Sequence, residues 1–352
     1  MDVTARAAVT PPRLRAGDEV ALLSLSGPLA ARCPRRLARA ERELRERGLV
    51  PRTDPTVLLD SGSTAGPARV RAERFTAAVR DPAVRAVFST VGGVGTRDVL
   101  PHLDPTVLAA SPTSVVGYSD TTSLLLWLYH RLGWTTYYGP AALPQFGEHG
   151  GTLDFTWDSA WARLSDEDGD RALPSTDDVV VETLPWDSHD DRPRAVGGPA
   201  PRTAWVPGLA TGPLVAANVA TLADDLRAGL HAGVRWDGHV VCLEESDSAS
   251  ADGVRDAVAV LADSGLLDGA AALLVGRFAQ DHRREWTPGL SRRLLEPLVR
   301  RCSGPVVADC EFGHTDPVLT LPIGAVAEVR APVPGRGAPE VLLVPPGNGR
   351  PG

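Results

Sequence analysis

The stretch that decides the fold is Ser114-Val115-Val116-Gly117-Tyr118-Ser119-Asp120-Thr121-Thr122, which runs straight into Ser123-Leu124-Leu125-Leu126-Trp127-Leu128-Tyr129. A β-branched run, a glycine and a serine precede a long apolar segment, which predicts a strand, a sharp turn and a helix. Ser119 then occupies a rigid corner beside the unpaired N–H groups of the helix's first turn. A serine nucleophile needs that pairing of access with donors for an oxyanion. The competing reading is a helix cap, since Ser119 and Asp120 are both favoured cap residues. On this stretch alone the two readings stand side by side.

Outward from it, Glu19 to Leu25 is an apolar strand ending at Ser26-Gly27-Pro28. Amphipathic helices are predicted over Arg35 to Arg47, closed by Gly48, and over Ala68 to Arg80. The strand Val84 to Thr90 ends in Val91-Gly92-Gly93-Val94-Gly95-Thr96, and Trp134 to Tyr138 forms another strand. Alternating strands and helices predict a doubly wound parallel sheet of flavodoxin or Rossmann type over 19–142, behind an N-terminal arm at 1–18. Ligands of such sheets bind at the carboxyl ends of the strands, where Gly92, Gly93 and Ser119 fall.

From 143 to 212 sustained periodicity is lost, and the stretch reads as a Trp-, Pro- and Gly-rich linker carrying Trp157, Trp161, Trp186 and Trp205. A second, smaller α/β domain is expected over 213–345, before a frayed tail at 346–352. It opens with a helix from Leu214 to Leu230. The strand His239 to Leu243 then ends in Glu244-Glu245-Ser246, and the strand Pro305 to Cys310 leads to Gly313-His314.

Composition narrows the function classes. Across 352 residues the net charge is -8, which argues against a nucleic-acid or anionic-membrane binder. The chain has no lysine, so Gly92-Gly93-Val94-Gly95 cannot be a lysine-bearing phosphate loop. Those glycines fit better as backbone that approaches a small ligand or gives an N–H to an oxyanion. No stretch has the length and apolarity of a signal peptide or membrane span. Cys33, Cys242, Cys302 and Cys310 form no CxxC pair and read as free thiols of a cytoplasmic protein. No metal-binding motif occurs, and neither metal nor cofactor is expected.

Gly117-Tyr118-Ser119-Asp120-Thr121 lacks the second glycine of the G-x-S-x-G elbow, which disfavours an ordinary α/β-hydrolase. His314 follows a glycine at a strand end. Glu244 and Glu245 end another strand, and one of them is able to orient a histidine as the acid of a triad does. The plain alternatives are a surface histidine and solvated carboxylates.

Taken together, several stretches resemble the LD-carboxypeptidase family of serine peptidases. They are Ser24-Leu25-Ser26-Gly27-Pro28, Gly92-Gly93-Val94-Gly95-Thr96 with Leu100-Pro101-His102-Leu103-Asp104, Gly117 to Thr122, Tyr138-Gly139-Pro140, Leu243-Glu244-Glu245, and Gly313-His314 with Leu321-Pro322-Ile323-Gly324. They occur in family order over nearly the whole chain. The resemblance implies two α/β domains, the second of swivelling β/β/α type, with a Ser119–His314–Glu244 triad assembled between them. It implies an oxyanion hole from the Gly93 and Asp120 backbone N–H groups, and a homodimer without metal or cofactor.

Two branches of that family compete. One releases D-alanine from murein tetrapeptides, and the other, the microcin C self-immunity branch, cleaves an aminoacyl-nucleotide amide. The chain is more similar to the second in Val91-Gly92-Gly93, in Tyr137-Tyr138 before Gly139-Pro140, and in its Trp-containing connection. The expected substrate is thus a small peptide, a muropeptide or an aminoacyl-nucleotide, met by Gly92, Tyr138 and Trp205. Trp205 either stacks on a flat group or packs between domains. A binding protein without catalysis on the same scaffold is the remaining alternative.

Overall fold

The computed structural model describes residues 8–165 and 171–345. The expected tail at 346–352 and the first seven residues of the expected arm lie outside them. The described chain divides into two compact units, one of residues 8–165 and 182–195, the other of 171–181 and 196–345.

The first unit is built on β1 (Glu19–Leu23), β2 (Val50–Thr53), β3 (Val84–Ser89), β4 (Ser114–Gly117) and β5 (Thr136–Tyr138). They lie side by side in the order β2-β1-β3-β4-β5, every pair parallel. That is the flavodoxin-like order, in which the crevice for a ligand opens between β1 and β3, where the winding reverses. Central strands β3 and β4 are buried almost throughout, which accounts for their near-continuous apolar runs. The connecting helices include α1 (Pro34–Glu46), α2 (Ala68–Arg80), α3 (Thr122–Leu132) and α4 (Asp154–Leu164). In α1, Leu37, Ala40 and Leu44 recur at helical spacing and point into the core.

Residues 182–195 belong to this first unit through an ionic cluster on α1. The Arg36 guanidinium, 1% exposed, donates to Glu148 Oε2 at 2.5 Å and to the Leu143 carbonyl at 2.8 Å. It lies 3.5 Å from Asp190 and 4.2 Å from the centroid of the Trp186 ring, and Arg39 also pairs with Asp190. A buried guanidinium needs such partners, because burying it unpaired costs several kcal/mol (about 3–5).

The second unit carries a mixed seven-stranded sheet of β6 (Thr203–Val206), β7 (Gly208–Asn218), β8 (Val240–Glu244), β9 (Ala272–Gly276), β10 (Val306–Cys310), β11 (Val326–Ala331) and β12 (Glu340–Leu343). Its order is β12-β11-β7-β8-β9-β10-β6. Strands β7 to β10 are parallel, while β6, β11 and β12 run antiparallel to their neighbours. Helices α5 (Val219–Arg227), α6 (Ala251–Ser264) and α7 (Leu290–Val299) connect the parallel strands.

Two elements differ from the sequence reading. Leu214 to Asn218, expected to open a helix, is the end of β7, and its buried run Leu214-Val215-Ala216-Ala217 is shielded on both sides. A short apolar run has no period by which to choose between strand and helix. The irregular stretch at 143–212 holds the helix α4, the strand β6 and the first part of β7.

Candidate active site

In the first unit, β4 delivers the chain to Tyr118 in extended conformation and then to Ser119 at φ 62°. A non-glycine residue in the left-handed region is strained by about 1–2 kcal/mol. A capping serine would have extended dihedrals and a side-chain bond into the helix. Ser119 is instead left-handed and stands as the first residue of a 3₁₀ turn, Ser119–Thr121, that leads into α3. Its backbone N–H donates to the Tyr138 hydroxyl at 3.1 Å.

Gly92 lies directly against this corner. A Cβ there would come 2.8 Å from both Cβ and Oγ of Ser119, so only glycine permits the approach. Gly93, next along, is exposed, while the Asp120 side chain turns inward to 9% exposure. The structure thus brings Gly92, Ser119 and Asp120 together at the carboxyl ends of β3 and β4.

In the second unit, Glu244 is the last residue of β8 and is fully buried. Its Oε2 lies 2.7 Å from His314 Nδ1 and also accepts the His314 backbone N–H at 3.0 Å. Its Oε1 accepts from Asn218 Nδ2 at 3.2 Å. Gly313 stands at φ 89°, and a Cβ on it would overlap the Glu244 carboxylate, so the His314 loop can close over Glu244 only through glycine. Burial pulls the His314 pKa down, but the charge and hydrogen bond of Glu244 outweigh it and hold the ring above its ordinary value. Asp247 and Glu245 add to the upward shift.

Asn218 was not singled out by sequence reasoning, and Glu245 was weighed only as an alternative to Glu244. Asn218 caps α5 through Oδ1, which accepts the Thr221 N–H at 2.9 Å, while its amide nitrogen donates to Glu244 and, at 3.1 Å, to Glu245. Glu245 is nearly fully buried and accepts the N–H groups of Ala220 and Ser246. Burial first, then the neighbouring Glu244 charge, pushes its pKa up. The sequence signal was available, because an asparagine before a helical run is a cap candidate.

Two residues expected to meet substrate sit elsewhere. Tyr138 is fully buried, and its hydroxyl accepts from the Ser119 backbone, so it supports the turn and presents no ring face. Trp205 lies on the edge strand β6, next to the pairing of Val206 with Val306 at the start of β10. Glu244 is three strands away at the opposite end of the parallel strands, roughly 15 Å off by strand spacing and rise. The ring of Trp205 lies 5.6 Å from the Arg292 guanidinium, a cation–π partner within the same unit.

Family models match parts of both units. A family model described as the LD-carboxypeptidase N-terminal domain matches residues 20–139, and one described as the C-terminal domain matches 211–329. The chain belongs to the LD-carboxypeptidase family of serine-type hydrolases. A carboxypeptidase-like protein of Streptomyces coelicolor is 33% identical over 334 residues, covering 93% of this chain and 94% of the relative. Within the family the chain is similar to the self-immunity branch. The microcin C7 self-immunity protein MccF of Escherichia coli is 27% identical over 321 residues, 88% of this chain and 90% of that protein. A structure of MccF in complex with glutamyl sulfamoyl guanosine superposes with a TM-score of 0.84 at 23% identity, covering 97% of this chain and 99% of that one. Among the described residues no helix is long and apolar enough to cross a membrane.

Proposed function

We propose that this chain hydrolyses an amide bond of a small aminoacyl-nucleotide or peptide, with Ser119 as nucleophile, His314 as general base and Glu244 as the acid that orients His314. The observation that carries the reading is the left-handed φ of 62° at Ser119, a strain that a capping serine has no use for. With His314 Nδ1 engaged by Glu244, the other ring nitrogen, Nε2, takes the Ser119 proton as Oγ attacks the carbonyl carbon. The backbone N–H groups of Gly93 and Asp120 stabilise the oxyanion. His314 then returns the proton to the leaving amine, an acyl-Ser119 ester remains, and water drawn through the same base releases the acid.

An aminoacyl-nucleotide is favoured because MccF, a relative of similar fold, was solved with glutamyl sulfamoyl guanosine and with aspartyl sulfamoyl adenosine. Four free cysteines suit a reducing cytoplasm, and the family resemblance suits a homodimer.

A mass-spectrometric assay of wild type and Ser119→Ala tests the reading, offering aspartyl sulfamoyl adenosine beside an L,D-linked murein tetrapeptide. Cleavage of the adenosine compound alone, lost in Ser119→Ala, is the expected result. Release of D-alanine instead moves the substrate to murein. Turnover that survives in Ser119→Ala refutes the mechanism.

A further inference from the structure

The loop that carries Gly93 is held by a buried pair of opposite charges. Asp120 Oδ2 accepts the Ser26 hydroxyl at 2.5 Å and the Thr96 backbone N–H at 2.8 Å. Ser26 lies just beyond β1, and Thr96 closes the glycine run just beyond β3. From the other side, Arg71 on α2 donates through Nη1 to the carbonyls of Leu25, at 2.5 Å, and Gly95, at 2.9 Å. Those carbonyls belong to the residues directly before Ser26 and Thr96. The two charges therefore grip the same two junctions from opposite sides. The loops also touch directly, since the Gly27 N–H donates to the Gly92 carbonyl at 3.1 Å and a Cβ on Gly93 would come 2.9 Å from Gly27 Cα.

Arg71 is 4% exposed and Asp120 is 9% exposed. Burial lowers the pKa of Arg71, and the Asp120 charge is the largest influence restoring it. Neither charge would be stable in so dry a place without the other and without the polar groups they share. A glycine-rich run has little side-chain packing to fix it, so its position is set by whatever holds its ends.

We propose that the Asp120 carboxylate and the Arg71 guanidinium are positioning residues for the reaction, clamping the Ser26 and Gly92–Thr96 loops so that the Gly93 N–H stands in register with Ser119. The role belongs to the Asp120 side chain and is separate from its backbone N–H. It rests on the reading of Ser119 as nucleophile and Gly93 as oxyanion donor. Charge balance explains the choice of residue. A carboxylate that accepts two bonds on one oxygen would by itself oppose a nearby oxyanion, and the buried guanidinium offsets its field.

The test uses the full chain with Asp120→Ala, Asp120→Asn, Ser26→Ala and the Ser119→Ala reference. Asp120→Ala keeps the backbone N–H and removes only the clamp. Amide hydrogen exchange across 92–96 should accelerate by about tenfold or more while the core strands keep their protection. On whichever of the two amide substrates wild type cleaves, kcat should fall by about 10–100-fold, less than deletion of a donor costs. KM should stay within about threefold, because the lost register matters only when charge develops on the oxygen. Asp120→Asn, which can still accept both bonds, should recover part of the rate, and Ser26→Ala should fall between Asp120→Asn and Asp120→Ala. Unchanged exchange at 92–96 in Asp120→Ala overturns the clamp, with or without a substrate. Full kcat in Asp120→Ala beside an inactive Ser119→Ala overturns the positioning role alone. Activity in Ser119→Ala overturns the functional reading instead, and the exchange result still decides the clamp.

Discussion

Replacing Glu244 by glutamine should disable the His314 base while leaving the chain folded. Glu244 is fully buried and accepts on both sides, from Asn218 through Oε1 and from two His314 N–H groups through Oε2. A carboxamide accepts on one side only. If its oxygen faces His314, its amide meets the Asn218 amide, donor against donor. If it is turned round, it meets His314 Nδ1–H and the His314 backbone N–H in the same way. Asn218 cannot flip to relieve the first clash without surrendering the cap on Thr221. One buried donor therefore loses its acceptor, a cost of about 1–3 kcal/mol. For a unit the size of the one that holds Glu244, that lowers Tm by roughly 2–12 °C. The catalytic loss is larger, because the histidine loses both its tautomer and the charge that stabilises its protonated form. The expected fall in kcat is about 10⁴-fold, or roughly 5.4 kcal/mol of barrier. The His314 ring pKa, held above 6.5 chiefly by Glu244, should drop in an NMR titration of the imidazole. A Glu244→Gln protein with kcat within about tenfold of wild type, or with an unmoved His314 pKa, would refute the reasoning.

Further outcomes follow from the same geometry. In wild type the base must be neutral, so kcat/KM should rise with pH as His314 loses its proton. The raised pKa puts the midpoint of that limb above 6.5, and a pH–rate profile with a midpoint at or below it would contradict the assignment. Gly92→Ala drives a methyl to 2.8 Å from Ser119 Oγ and should cut kcat by about 10²-fold, readable in the same hydrolysis assay. Ser119→Gly should abolish turnover yet raise stability by about 1 kcal/mol through relief of the left-handed strain, seen as a higher denaturation midpoint. Trp205→Ala should lower stability through loss of packing and of the Arg292 contact, with KM for an adenosine-bearing substrate unchanged within about twofold.

Much of the fold was legible because most strands and helices obey one period each. The parallel run through β4, the helix α1 and the strand β8 fall close to where their apolar patterns put them. Leu214-Val215-Ala216-Ala217 was misread because four apolar residues carry no period, and only the neighbours on both sides make them a strand. At the site, Ser119, Glu244 and His314 lie at strand ends, and the family resemblance is what picks them out. Asn218, Ser26, Thr96 and Arg71 were given no such role, because each acts through a contact with a residue distant in sequence. Arg71 is 46 residues from Leu25 and 24 from Gly95, and nothing in a helical arginine marks it as buried. The surroundings of Tyr138 and Trp205 were hidden from the sequence for a related reason. An aromatic residue near a motif offers a ring, but its exposure and its neighbours are set by strand register.

The cluster around Arg36 bears on how the polypeptide is made. Arg36 emerges from the ribosome early, yet Glu148, Trp186 and Asp190, which neutralise and cover it, follow more than a hundred residues later. By then synthesis has already passed through 171–181, which belong to the other unit. The N-terminal half therefore cannot finish folding as it emerges. Glu148 pairs with Arg36 first, but the contacts of Asp190 and Trp186 wait until about residue 190 is available, and a fragment ending at 165 would lack them. Gene fragments, split reporters or circular permutants of this chain should keep 182–195 with the first 165 residues, even though the sequence places a piece of the second unit between them.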